Sequence, residues 1–147
     1  MSKFTNSDRD LIPAVNGTII FNTTDSTVQV FNNSSWVTLS VPQNNIANIT
    51  SSSTITPNAD QAQQLNITAL AENCTLNAPI GSPRNGQKLI IRIKDNGSNR
   101  LLTWNSAYRQ IGVSLPSSTV AGKVSYVGCL YNQQDSLWDV IAVKTQV

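Results

Sequence analysis

Few side chains in this sequence could do acid–base or nucleophilic work, and their spacing keeps them apart. The chain has no histidine, which removes the usual general base and the commonest metal ligand. Its two cysteines, Cys74 and Cys129, lack an imidazole to activate a thiolate. Both sit in β-type runs and read as small buried hydrophobes, since a structural disulfide does not suit a reducing compartment. Asp8 with Asp10 and Asp135 with Asp139 are the close acidic pairs. The first lies on a polar N-terminal stretch and the second brackets a turn, so both read as solvated carboxylates. Asp95, Asn96 and Asn99 could offer oxygens to a divalent cation, but a plain hairpin turn already accounts for them. Phosphate-binding glycine loops and zinc spacings are absent. The expectation is a protein that is not an enzyme and carries no cofactor or metal.

Binding chemistry is the remaining class. Trp36, Trp104, Tyr108, Tyr126, Tyr131 and Trp138 could stack on sugar rings or serve as core and interface anchors. Trp104 and Trp138 lie in apolar runs, which favours core. Tyr108, followed by Arg109 and Gln110 in an expected loop, reads as the most exposed ring, so Tyr108 and Arg109 are the candidate glycan contacts. Arg84, Lys88, Arg92, Lys94 and Arg100 gather in one segment. They fit solvated strand faces that resist edge-to-edge pairing better than a phosphate-binding stripe, so no nucleic-acid partner is expected.

The elements that must carry these groups are strands. Only 12% of the 147 residues are charged, Glu72 is the single glutamate, and Asn, Ser, Thr and Gln exceed a third of the chain. These residues form helices poorly but suit turns and exposed strand faces. Alternating runs at 18–22 and 27–31, then Trp36 to Leu39, predict a small β-meander or hairpin module over residues 16–41. Residues 42–53 read as a Pro-, Asn- and Ser-rich linker. From 54 to 147 strands follow one another: 54–56, 64–70, 73–78, 87–94, 100–104, 123–131 and 137–143. The turn Asp95-Asn-Gly-Ser-Asn99 predicts a hairpin that pairs 100–104 back onto 87–94. Turn signals at this spacing predict an all-β chain whose second module is a β-sandwich of jelly-roll type. Residues 1–15 read as a polar arm carrying Phe4, Leu11, Ile12 and Val15 as apolar pegs. The N-terminus lacks the apolar core of a signal peptide and no run is long enough to span a bilayer, so synthesis in a cytoplasm without membrane insertion is expected.

The wording of two stretches is also familiar. Gly17-Thr-Ile-Ile-Phe-Asn-Thr-Thr24, with Val28-Gln-Val-Phe-Asn32 and Trp36-Val37, resembles a cassette that recurs in bacteriophage fibres and other exposed virion proteins. A second set of blocks, among them Asn66-Ile-Thr-Ala-Leu70, Asn77-Ala-Pro-Ile-Gly-Ser-Pro-Arg-Asn-Gly-Gln-Lys88, Leu102-Thr-Trp-Asn105 and Val124-Ser-Tyr-Val-Gly-Cys-Leu-Tyr-Asn132, resembles a C-terminal β-module of tailed-phage structural proteins. The resemblance implies a virion structural protein, located on the particle after synthesis in the host cytoplasm. Such modules assemble as trimers, and three strands alone enclose little core, so a homotrimer is expected. A fibre needs a long shaft, and no repeat or heptad builds one here. The expected role is therefore a capsid decoration, or cement, protein that binds the major capsid protein on the outer surface and stabilises the head. Phe4, Leu11, Ile12 and Val15 are the expected capsid contacts. The alternative is a tail-fibre tip or receptor-binding protein that recognises a host surface glycan. Circular dichroism of the purified chain should show a strand-dominated spectrum; more than a small minority of helix would contradict the reading of these elements.

Overall fold

The computed structural model describes residues 1–39 and 45–147 and is almost wholly β. It divides into two compact units, Met1–Gln43 and Asn44–Val147. The end of the expected cassette and the first residues of the expected linker, 40–44, lie outside the described residues. Among the described residues no helix is long and apolar enough to cross a membrane.

The first unit is a four-stranded sheet in sequence order: β1 (Lys3–Phe4), β2 (Ile19–Asn22), β3 (Thr27–Asn32) and β4 (Ser35–Thr38). The expected meander is β2 to β4, paired antiparallel. The expected free arm is not free. Lys3 and Phe4 pair in parallel with Phe21 and Asn22, and a single helical turn, α1 (Asn6–Arg9), follows. Thr5 caps that turn. Its hydroxyl accepts from the Asp8 N–H while the Asp8 carboxylate reaches back to the Thr5 N–H, which satisfies two of the backbone donors that a helix start leaves open. A two-residue strand has no period to read in sequence, which is why this pairing is invisible there.

The face of the first sheet that α1 covers is polar. Asn22 and Gln29 are buried and joined by a 3.1 Å hydrogen bond from Asn22 Nδ2 to Gln29 Oε1. Arg9 donates to the same Gln29 oxygen at 3.1 Å, and Asn22 also donates to Asn6 and to Asp25. Buried amides are tolerated because they find partners. Asp8 and Asp10 therefore have structural roles: Asp8 caps the turn, and Asp10 pairs with Arg9 at 2.7 Å.

The second unit alternates between two sheets. The chain runs through β5 (Ile46–Ile49), β6 (Thr54–Ile55), β7 (Gln64–Leu70), β8 (Cys74–Leu76), β9 (Lys88–Asp95) and β10 (Leu102–Trp104). β5, β7 and β9 are neighbours in one sheet, and β6, β8 and β10 are neighbours in the other. All of these pairings are parallel. Each circuit thus lays one strand on each sheet, a short solenoid of stacked rungs rather than a jelly roll. Then β11 (Tyr108–Gln110), β12 (Val124–Asn132) and β13 (Leu137–Thr145) extend the first sheet in the order β9–β12–β13–β11. β12 and β13 form an antiparallel hairpin with a register shift between Gly128 and Cys129.

Two sequence expectations change accordingly. Residues 46–49, read within the linker, form the edge strand β5, with Ile46 beside Gln64 and Ile49 beside Ile67. The 95–99 turn does not close a hairpin, because it is a corner that carries the chain from one sheet to the other. Turn residues mark a reversal but not the partner of the next strand, and parallel partners lie a full circuit away.

The alternation within strands is as read. Leu89, Ile91 and Ile93 point inward at 1%, 0% and 0% exposure, with Lys88, Arg92 and Lys94 between them. Leu65, Ile67, Leu76, Val127, Trp138 and Val140 join them in one core between the sheets. Each such aliphatic side chain contributes roughly 1.5–3 kcal/mol when fully buried. Cys74 and Cys129 lie in this core as unpaired thiols. Burial pushes the Cys129 thiol up to about 12; burial, then the Glu72 charge, pushes Cys74 up to about 11.

The corner after β9 is locked by Asp95, which is only 2% exposed. Its Oδ1 accepts from the Gly97 N–H at 2.9 Å and the Gly122 N–H at 2.7 Å, so it joins the corner to the turn before β12. Burial pushes the carboxyl up, but the Thr119 hydroxyl, the Gly122 and Gly97 N–H groups and the Arg100 charge outweigh it and hold the pKa below the ordinary value. Of the oxygens considered for a cation, Asp95 Oδ1 and Asn99 Oδ1 thus serve backbone donors, and Asn96 Oδ1 accepts from the Arg100 guanidinium. Replacing Asp95 by Ala should cost about 2–4 kcal/mol, because two charge-assisted bonds are lost, measurable by urea unfolding. A depressed folded pKa gives stability that is present above about pH 4 and fades as pH falls through the folded value. That acid-side loss should be shallower in Asp95→Ala than in the wild type.

Candidate functional site

The candidate glycan pair Tyr108–Arg109 lies on β11, not in a loop. β11 pairs in parallel with β13, so Tyr108 stands beside Trp138 and Arg109 beside Asp139. Strand alternation then sends the two side chains to opposite faces. Tyr108 goes inward and is 4% exposed, which corrects its expected exposure. Its ring meets Trp104 edge-on, with centroids 5.3 Å apart, and its hydroxyl donates to the Asn77 carbonyl at 3.1 Å. Burial pushes its pKa far above the usual tyrosine range. Trp138 packs on Tyr131 at 5.1 Å, and the Trp104 indole N–H donates to the Pro116 carbonyl at 2.8 Å. These rings pack in or against the core, and Tyr108 and Trp104 have their polar tips paired. Tyr126 is the exposed aromatic, at 44%.

Arg109 goes outward and is clamped by the acidic pair read as solvated. Its Nε donates to Asp139 Oδ1 at 2.7 Å, its second terminal nitrogen to Asp139 Oδ2 at 3.1 Å, and its first to Asp135 Oδ2 at 2.7 Å. The hydrogen bonds it donates to Asp139, then to Asp135, raise the Arg109 pKa. The Arg109 hydrogen bond, set against burial, holds Asp139 below the ordinary carboxylate value. A bidentate pair of this kind fixes geometry. It ties β11 to the β12–β13 turn and engages both carboxylates.

The concave surfaces of the second unit lie elsewhere, on either side of the turn at residues 84–86. One, of about 670 Å³, is lined by Asp60, Gln61, Gln63, Ser82, Arg84 and Gln87 among others. The other, of about 680 Å³, is lined by Asn85, Tyr131, Asn132, Gln133, Gln134 and Asp139 among others. The loop between them is held firmly. The Ser82 N–H donates to Asp60 at 2.9 Å, Gln87 Nε2 to the Ala59 carbonyl at 2.6 Å, and the Gln133 N–H to Asn85 at 3.1 Å. Gly81, at φ +103°, is required here, since a Cβ would lie 2.7 Å from the Asp60 carboxylate. The loop lies within a sequence block already noted, but its amides are too common in this chain for sequence alone to single them out.

The basic segment does not form one face. Lys88, Arg92 and Lys94 sit on the outer side of β9, Arg84 lines a cleft, and Arg100 turns to the corner, where it donates to Asn96 at 2.9 Å. Of the expected capsid contacts, Leu11 and Val15 are 82% and 71% exposed, while Phe4 and Ile12 are half-buried.

No family model matches the chain, and no curated protein matches it. Among solved structures, it is similar to a chain in the structure of a chaperone–substrate complex, at 11% identity and a TM-score of 0.41. That alignment covers 91% of this chain and 22% of the other, so this chain spans about a fifth of its neighbour's length. Similarity at that level carries no argument about fold or role.

Tyr108→Phe should lose about 1 kcal/mol of stability, the worth of one neutral hydrogen bond. Arg109→Ala should lower the melting temperature more at low salt than at high salt, since its partners are partly solvated. Calorimetry of both variants at two ionic strengths checks the pair; an unchanged Tyr108→Phe midpoint would contradict the buried hydroxyl contact.

Proposed function

We propose that this chain is a structural protein of a tailed-phage virion, and that its role is capsid decoration: it binds the major capsid protein on the outer surface as a homotrimer and stabilises the head. The observation that carries the reading is that the quoted virion-type blocks fall on strands and turns of both β units. The 17–37 blocks supply most of β2 to β4, and the later blocks supply most of β7, all of β10 and β12, and the loop that leads into β9. The site chemistry is consistent with a binding role, because the close acidic pair is occupied by Arg109. No catalysis and no nucleic-acid partner are proposed.

Attachment through the N-terminal segment now rests on Leu11 and Val15, the two exposed pegs. Phe4 and Ile12 are half-buried, so they also serve the fold. Removing residues 2–15 would take away β1 and also Asn6 and Arg9, which partner Asn22 and Gln29, so point substitutions are the cleaner test. Leu11→Asp with Val15→Asp should leave a folded protein whose binding to undecorated particles falls at least about tenfold, as expected for a charge set into an apolar contact. Unchanged binding would move attachment to another surface.

The amide-rich clefts favour a second reading, a receptor-binding or fibre-tip protein. Asn and Gln side chains with an Arg and an Asp can hydrogen-bond sugar hydroxyls. On that reading a host surface glycan sits beside the 84–86 turn and not at Tyr108. Quantitative mass spectrometry of purified virions decides between the two. Copies in the hundreds are expected for decoration; a few to some dozens would assign the chain to the tail or fibre.

A further inference from the structure

The first unit buries a mixed face. That face carries the amides Asn22 and Gln29 beside Ile20, its fully buried apolar side chain among the described residues, and the half-buried pair Phe31 and Trp36, edge-on at 5.3 Å. The opposite face carries two apolar rows and ends in the polar pair Asn32 and Ser35. Ile19, Val30 and Val37 are aligned across three strands. Phe21 and Val28 form the next row, which Leu39 joins through its N–H bond to the Val28 carbonyl at 2.8 Å. Ile19, Val37 and Leu39 are 51%, 45% and 50% exposed, and Phe21, Val28 and Val30 are only half-buried. Lys3, beside Phe21 on the edge strand, is the charge that adjoins this face.

A unit confined to Met1–Gln43 is near the size below which a chain usually needs a disulfide, a metal or a partner to stay folded. Its thiols are both in the other unit, and among the described residues no group of side chains is placed to hold a metal. The apolar face is therefore the missing half of a core, and what covers it must be equally apolar. The outer face of the second unit's larger sheet is a poor match, because Arg92, Tyr126 and Lys144 share one row there. The same face on another copy is an equally apolar match. In a trimer the same face of each copy turns to the common axis, and an uncharged centre of this kind resembles interfaces between identical subunits.

We infer that copies of this chain associate first unit to first unit, through the face formed by Ile19, Phe21, Val28, Val30, Val37 and Leu39. This deepens the homotrimer reading above, on which it rests for the number of copies but not for the surface.

Light scattering on the full chain across the micromolar range tests it. The wild type is expected as an oligomer. Ile19→Lys and Val37→Lys, at exposed positions, should each raise the dissociation constant at least about tenfold, since a desolvated ammonium would meet no partner. Val37→Thr keeps the β-branched shape, guards against simple misfolding, and should weaken association in the same direction. A monomeric wild type would overturn the inference. So would folded Lys variants, as judged by circular dichroism, that assemble like the wild type. The virion reading fails separately: an oligomer sensitive to Val37→Lys but missing from purified particles sinks that reading and leaves the surface intact, whereas a monomer present in hundreds of copies does the reverse.

Discussion

Parallel pairing constrains everything in the second unit. A strand can lie parallel to an earlier one only after the chain has left the sheet and returned in the same direction. Here the return path is itself a strand of the opposite sheet, so each circuit closes around the core instead of covering it with a helix. That makes the corners decisive. A corner that opens would release a strand from each sheet at once, which is why Asp95 is buried with its oxygen between two glycine N–H groups. It also places the longer corner segments at the ends of the rungs. The loop at 80–87 can hold two polar concavities there without disturbing the apolar interior.

Much of the fold was legible because the alternation of apolar and polar residues is local. In β9 the sequence Leu89, Ile91, Ile93 against Lys88, Arg92, Lys94 specifies both a strand and its buried face. Partner choice is not local, and there the reading failed. Asn96-Gly97 looks the same whether it closes a hairpin or turns a corner. The rungs do not announce themselves as a repeat, because the register Ile46, Gln64, Ile90 is unevenly spaced. Tyr108 shows the same limit. Being next to Arg109 and Gln110 suggested solvent, yet a short parallel strand against β13 turns its ring inward and leaves Arg109 outside. The apolar residues of the N-terminal segment divide likewise: Phe4 is half-buried on β1, but Leu11 stays exposed.

The two units handle polarity in opposite ways. In the second, apolar side chains are inside and the amides line surface clefts. In the first, amides are buried beside Ile20 while Ile19, Val37 and Leu39 stay exposed on the other face.

The buried amides of the first unit also act as a key. Sliding β2 by one residue against its neighbours would swing Phe21 toward Arg9 and Asn6, and would carry the Asn22 amide onto the apolar face. Neither group would find a partner in its new place. A sheet of valines and isoleucines alone would have several nearly equal alignments, since greasy side chains accept one another in any order. Asn22 and Gln29, by having so few acceptable neighbours, leave the short strands one way to line up.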